Sequence, residues 1–96
     1  MPRPCKHRCC RRYDADRVYK PRGVPMHELG TTRLALDQFE ALRLCDLEGL
    51  DQAAAGERMG VSRGTVQRLL KSARRDLVAA ILRGDALLVA LAPRED

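Results

Sequence analysis

The stretch Asp51-Gln52-Ala53-Ala54-Ala55-Gly56-Glu57-Arg58-Met59-Gly60-Val61-Ser62-Arg63-Gly64-Thr65-Val66-Gln67-Arg68-Leu69-Leu70 decides how this chain folds. Asp51 can cap a short helix over Gln52 to Met59, because its side-chain oxygen accepts a backbone N–H that a helix start leaves unpaired. Ala53, Ala54, Ala55 and Gly56 give that helix a nearly side-chain-free surface. A glycine inside a helix costs about 1 kcal/mol relative to alanine, so a close helix crossing at Gly56 is the expected compensation. Gly60 breaks the helix and Val61 follows. Ser62 then caps a longer helix in which Val66, Leu69, Leu70, Ala73 and Leu77 recur at three- and four-residue steps, with Leu82 near its end. Short helix, glycine turn, serine cap and longer helix form the order of a helix-turn-helix, with Met59, Val61, Val66 and Leu69 closing its core. An ordinary helical hairpin shares that punctuation, so the outward face carries the distinction.

On that face Arg63, Gln67, Lys71 and Arg74 follow at i, i+4, i+8 and i+11, flanked by Arg68 and Arg75, and no acid lies between residues 62 and 75. A merely solvated helix mixes charge signs to gain i,i+4 pairs. Arg63, Arg68, Lys71, Arg74 and Arg75 instead read as five uncompensated cations, an arrangement suited to phosphates. The helix start, with Ser62, Arg63, Gly64, Thr65 and Gln67, is expected in a major groove, where Arg63 and Gln67 reach base edges. Lys71, Arg74 and Arg75 lie farther along and are expected to hold the backbone. The preceding segment carries Asp37, Glu40, Asp46, Glu48, Asp51 and Glu57 and is expected to face away from DNA, some of its acids pairing with the N-terminal arm.

Outward from this centre the chain divides near residue 33. Residues 1–33 hold nine Lys/Arg against three Asp/Glu and residues 34–96 nine against ten, so the net charge of +5 is an N-terminal excess. Residues 1–33 also hold all but one of the five prolines and read as a basic extended arm, whose Arg3, Lys6, Arg8, Arg11 and Arg12 would add phosphate contacts. Residues 34–96 read as the helix-turn-helix domain. Asp37 with Glu40 has capping-box spacing for a first helix, with Phe39, Leu42, Cys45 and Leu47 as its apolar face and Gly49 at its end. Residues 31–36 and 86–91 read as strands, with Gly84 ending the long helix. The expected fold is therefore mainly α, with a helix-turn-helix, a basic extended N-terminal arm and a small two-stranded sheet. The 96 residues make one domain. The absence of an apolar run near 18 residues and of a signal-peptide core predicts a cytoplasmic protein that meets nucleic acid rather than membrane. Phe39, Tyr13 and Tyr19 are the only aromatic residues, which argues against RNA readers that stack bases on rings.

The run Asp37-Gln38-Phe39-Glu40-Ala41-Leu42-Arg43-Leu44-Cys45-Asp46-Leu47-Glu48-Gly49-Leu50, with Glu57-Arg58-Met59-Gly60-Val61-Ser62-Arg63-Gly64-Thr65-Val66-Gln67-Arg68, resembles a family of small prokaryotic predicted DNA-binding proteins of unknown function. Their helix-turn-helix is similar to that of sigma-factor region four, and their N-terminus is rich in Cys and Arg. The likeness extends to Met1-Pro2-Arg3-Pro4, Lys20-Pro21-Arg22-Gly23-Val24-Pro25, Ser72-Ala73-Arg74-Arg75 and Ala86-Leu87. It departs at Ala53-Ala54 and Gly56, where the family has acidic residues and Ala, and across Tyr13 to Arg17. The resemblance implies a DNA-binding fold of the sigma region four type.

Cys5, His7, Cys9 and Cys10, with His27 farther off, raise a zinc or redox reading. Structural zinc sites bring ligand pairs at C-x₂₋₄-C spacing from two segments, and here Cys5 and Cys9 have that spacing while a second pair is missing. Incidental thiols on a disordered basic arm are the favoured reading of the same residues, and no cofactor is assigned. Cys45, on an apolar face, reads as a small core residue. Neither a Gly-rich phosphate loop nor a Ser/His/Asp order is present, which predicts a protein that is not an enzyme. The function expected is sequence-specific binding of double-stranded DNA in transcription regulation. A module docking on the transcription machinery and a cysteine-based metal or redox sensor are the rivals. Leu87, Leu88, Val89 and Leu91 predict a homodimer through an uncovered apolar strand.

Overall fold

The computed structural model describes residues 10, 11 and 13–92. Its elements run β1 (Arg17–Tyr19), a single 3₁₀ turn (Met26–Glu28), β2 (Thr31–Leu34), α1 (Leu36–Leu42), a widened π turn (Arg43–Leu47), α2 (Gln52–Met59), α3 (Arg63–Arg83) and β3 (Ala86–Val89). The expectation of a mainly α fold with a small sheet holds.

Local chemistry accounts for α2 and α3. Asp51 Oδ1 accepts the Ala54 N–H at 2.8 Å, and Ser62 Oγ accepts the Thr65 N–H at 3.1 Å. Gly60 and Gly84 end the two helices in the left-handed region, with φ of 72° and 73°, where a side chain would be strained. The close approach anticipated at Gly56 is real, yet its partner is the turn and not a crossing helix. A Cβ on Gly56 would lie 2.7 Å from the Val61 carbonyl oxygen. The left-handed Gly60 folds the chain back over the last turn of α2, and the Val61 N–H then bonds the Gly56 carbonyl at 2.9 Å.

The first helix differs from its expected form at both ends. Ala35, not Asp37, holds the cap position, and Gln38 Oε1 reaches back to the Ala35 N–H at 2.8 Å. Asp37 sits in the first turn, where its charge opposes the positive end of the helix dipole, and Glu40 is engaged elsewhere. Beyond Leu42 the helix widens: the Glu48 N–H bonds Arg43 O, five residues back, at 2.9 Å. A π turn advances fewer degrees per residue than an α turn. The apolar stripe therefore slips, and Leu47, expected beside Phe39, Leu42 and Cys45, is exposed.

The sheet has three strands, one more than expected, in the order β1-β3-β2. β3 pairs antiparallel with β1 (Arg17 opposite Val89) and parallel with β2 (Thr31 opposite Ala86, Leu34 opposite Val89). A parallel pair needs a long crossover, and the three helices supply it. The segment read as an extended arm is in its described part fastened to the body. Besides β1, Tyr13 packs edge-on against Phe39 with ring centroids 5.9 Å apart, and Asp16 Oδ1 accepts the Ala92 N–H at 2.7 Å.

Two adjoining cores result. Ala41, Leu44, Ala55, Met59, Val66 and Leu70 fill the space among the three helices, with Cys45 packed at the margin. Leu34, Ala73, Val89 and Leu91 bind the sheet to α3, with Tyr13, Phe39 and Leu77 against them. Val89 and Leu91, taken as an uncovered dimer strand, are thus buried. Among the described residues no helix is long and apolar enough to cross a membrane.

Candidate nucleic-acid interface

Ser62 fixes where α3 begins. Its hydroxyl holds the Thr65 N–H and lies 3.0 Å from the Thr65 hydroxyl, and Arg68 Nη2 donates to Thr65 Oγ1 at 3.3 Å. The Arg68 guanidinium passes over Gly64, where its Nη1 would lie in ordinary contact, 3.6 Å, from a Cβ. Arg68 is therefore folded back along the first turn. Arg63, Gln67 and Lys71 are exposed beside the buried Val66, Leu70 and Ala73, and together with Arg74 they form one stripe along α3. The start of α3 rests on α2, whose Gly56 lets the turn before Ser62 settle directly on the helix backbone.

One sequence expectation is corrected here. The five cations are not all uncompensated: Arg74 donates from Nη2 to Asp46 Oδ1 at 2.6 Å and from Nε to Asp46 Oδ2 at 3.1 Å, and Arg75 Nε lies 3.7 Å from Asp76 Oδ1. Asp46, from the preceding acidic segment, thus leans against the stripe of α3. The slipped π turn that exposes Leu47 also carries Asp46. A groove of about 520 Å³ opens between that turn and α3, with Cys45, Asp46, Asp51, Arg63 and Arg74 among its walls. The Cys45 thiol is pushed up by burial and then by the neighbouring Asp46 charge.

Behind this surface lies a second charged cluster that residue types alone did not reveal. Glu40 is 1% exposed. Its carboxylate accepts from Arg43 Nε at 3.0 Å and Nη2 at 2.9 Å, from the Tyr13 hydroxyl at 2.5 Å, and from the Arg11 N–H at 3.0 Å. Arg43 also reaches Glu48. Burial alone would raise the Glu40 pKa, but the hydrogen bonds from Arg43, Tyr13 and the Arg11 N–H outweigh it and hold the carboxyl below its ordinary value. Tyr13 is pushed up to about 12 by its own burial and by the Glu40 carboxylate it donates to. The i,i+3 spacing of Glu40 and Arg43 was a visible signal for the pair; nothing local signalled Tyr13. Gln38 similarly ties α1 to α3, donating to Ser72 Oγ at 2.9 Å and Asp76 Oδ2 at 3.1 Å.

The metal candidates Cys5, His7 and Cys9 lie outside the described residues, as do Arg3, Lys6, Arg8 and Arg12 of the basic arm. Of the remainder, His27 is exposed beside Glu28 at 3.6 Å and Cys10 is half-buried. Among the described residues no three His, Cys, Asp or Glu side chains are grouped to hold a metal ion. Arg11, read as a phosphate contact, places its guanidinium 5.5 Å from the Tyr13 ring centre, a cation–π distance.

Residues 1–92 match a family model described as "Protein of unknown function DUF134". The chain is 47% identical over 87 residues to a UPF0251 protein of Rhodospirillum rubrum, covering 91% of this chain and 61% of the relative. It is 48% identical over 90 residues to a UPF0251 protein of Aeromonas salmonicida, covering 93% and 87%. It is 47% identical over 92 residues to one of Shewanella sediminis, covering 93% of each. No solved structure matches the chain.

Proposed function

This chain belongs to the DUF134 family of unknown function, and from its own geometry we propose that it is a sequence-specific double-stranded DNA-binding protein that regulates transcription. On this reading α2 and α3 form a helix-turn-helix of the sigma region four type, and α3 lies in the major groove. The observation that carries the proposal is the exposed stripe Arg63, Gln67 and Lys71 on a helix whose start is fixed by Ser62 and by the turn seated on Gly56. A guanidinium can bond guanine O6 and N7 together, and a Gln amide can bond adenine N6 and N7. Arg63 and Gln67, one helical turn apart, are suited to adjacent base edges. Lys71 lies about 12 Å beyond Arg63 at 1.5 Å per residue, far enough to reach the backbone. Base edges specify sequence and phosphates hold the protein, so the two ends have separate consequences.

Selection of bound duplexes from a random pool, followed by titrations at several salt concentrations, tests the reading. Arg63→Ala or Gln67→Ala should cost about 1 to 3 kcal/mol at particular base pairs and relax preference there, while Lys71→Ala should weaken all sequences alike. Unchanged affinity and selectivity in a folded Arg63→Ala/Gln67→Ala protein would overturn it.

A protein contact is supported by a separate observation. Val78, Ile81 and Leu82, on the last turns of α3, are exposed although large and apolar. Homodimerisation, first read from β3, is better placed on these residues because β3 is largely covered. The same surface also suits contact with the transcription machinery, and light scattering of the protein alone against polymerase pull-down without DNA separates the two.

A further inference from the structure

Along the stripe of α3, Arg63, Gln67 and Lys71 are exposed, whereas Arg74 is held by two hydrogen bonds from Nε and Nη2 to both oxygens of Asp46. This two-pronged contact occupies one edge of the guanidinium, the edge with which an arginine would grip a phosphate in the same manner. Asp46 comes from the π turn and shares the groove wall with Arg63 and Arg74. A duplex lying along α3 therefore meets a neutral pair at Arg74. The pair is still easily opened. Arg74 and Asp46 are 54% and 43% exposed, and exposed pairs of this kind bias their closed state by no more than about five-fold.

We infer that Asp46 is a specificity-determining residue, which withholds Arg74 from the phosphates of loosely held DNA and yields it to the backbone when Arg63 and Gln67 are seated on their bases. This rests on the DNA-binding reading above. In a non-specific complex no phosphate is held at a fixed place on α3, so the nearby carboxylate keeps the guanidinium and Arg74 displaces no counterion. In the seated complex, Arg74 lies about 16 Å along the helix from Arg63, and a phosphate fixed at that point competes with Asp46 on equal terms. The acid costs random sequence one cationic contact and costs the chosen sequence less. It widens the gap between them without touching a base.

The experiment compares the wild type, Asp46→Asn, Arg74→Gln and the double variant by fluorescence anisotropy on a selected duplex and on a scrambled one, over a range of salt. Asp46→Asn should raise affinity for the scrambled duplex by about two- to five-fold and steepen its slope of log affinity against log salt by about 0.9, with a smaller gain on the selected duplex. In the Arg74→Gln background, Asp46→Asn should change nothing, since Asp46 acts through Arg74. Equal gains on both duplexes, an undiminished gain in the Arg74→Gln background, or weaker binding by Asp46→Asn would each overturn the inference while leaving DNA recognition intact. A wild type that binds no duplex would overturn the DNA-binding reading itself, and the role of Asp46 with it.

Discussion

Glu40–Arg43 and Asp46–Arg74 are two carboxylate–guanidinium pairs whose acids stand six residues apart in one helical segment, and they differ in almost everything but chemistry. Glu40 and Arg43 are 1% and 14% exposed, and the carboxylate takes donors from three residues. Asp46 and Arg74 stand half in water. Desolvation makes a buried charge dependent on every partner it has, whereas a wetted charge can exchange its partner for water or another anion at little cost. The first pair is thus a fixed joint that fastens residues 11 and 13 to α1. The second is free to be exchanged.

Removing the buried acid should have the largest effect. Glu40→Gln should destabilise the fold by about 3 to 5 kcal/mol in chemical denaturation, because the donors of Arg43, Tyr13 and the Arg11 N–H lose the buried charge they share and Arg43 keeps only the more exposed Glu48. The variant should also lose part of the acid dependence of stability. In the wild type the folded Glu40 pKa is depressed, so its contribution is present above the unfolded value of 4.5 and fades as the pH falls through the folded value. A Glu40→Gln protein as stable as the wild type at neutral pH would abolish the contrast between the pairs.

Tyr13→Phe should cost less, about 1.5 to 3 kcal/mol, the usual worth of a hydrogen bond to a charged group. Its signature lies at the other end of the pH scale. The unfolded tyrosine ionises near 10 and the folded one near 12, so the wild type should lose stability as the pH rises through that window. The phenylalanine variant should lose less over the same interval, as read from unfolding midpoints at pH 9.5 and pH 11.5.

The smallest effect belongs to Asp46→Asn, which should shift stability by no more than about 1 kcal/mol. Thermal melts check this directly. A loss as large as that of Glu40→Gln would mean that the exposed pair is also a structural joint and not an exchangeable one.

How much of this was legible follows the range of the interactions. Asp51, Gly60, Ser62 and Gly84 act on neighbours three or four residues away, and the limits of α2 and α3 could be read from them. Leu47 was misjudged because hydrophobic spacing assumes one helical pitch and the π turn changes it. β1 carries only three residues, all exposed, so no alternation marks it; its place is set by β3, some seventy residues later. The stripe Arg63, Gln67, Lys71 and Arg74 was visible as spacing, but Asp46 contacts Arg74 across 28 positions and has no local mark. Sequence pattern identified which side chains share a face and missed what comes to meet them.

The order of the sheet also bears on how the chain acquires its shape. β1 and β2 are neighbours of β3 alone, and β3 leaves the ribosome after both of them. Until it does, neither edge strand has anything to pair with, and the loops that must close before those contacts form span more than fifty residues. The helices need no such wait, since their bonds are local and the α2–α3 turn closes within a few positions. Folding should therefore be biphasic in its logic: a rapid helical assembly of low contact order, then a late stitching of the two strands that precede the helices onto the one that follows them. Substitutions in β1 should hasten unfolding and leave the folding rate nearly unchanged.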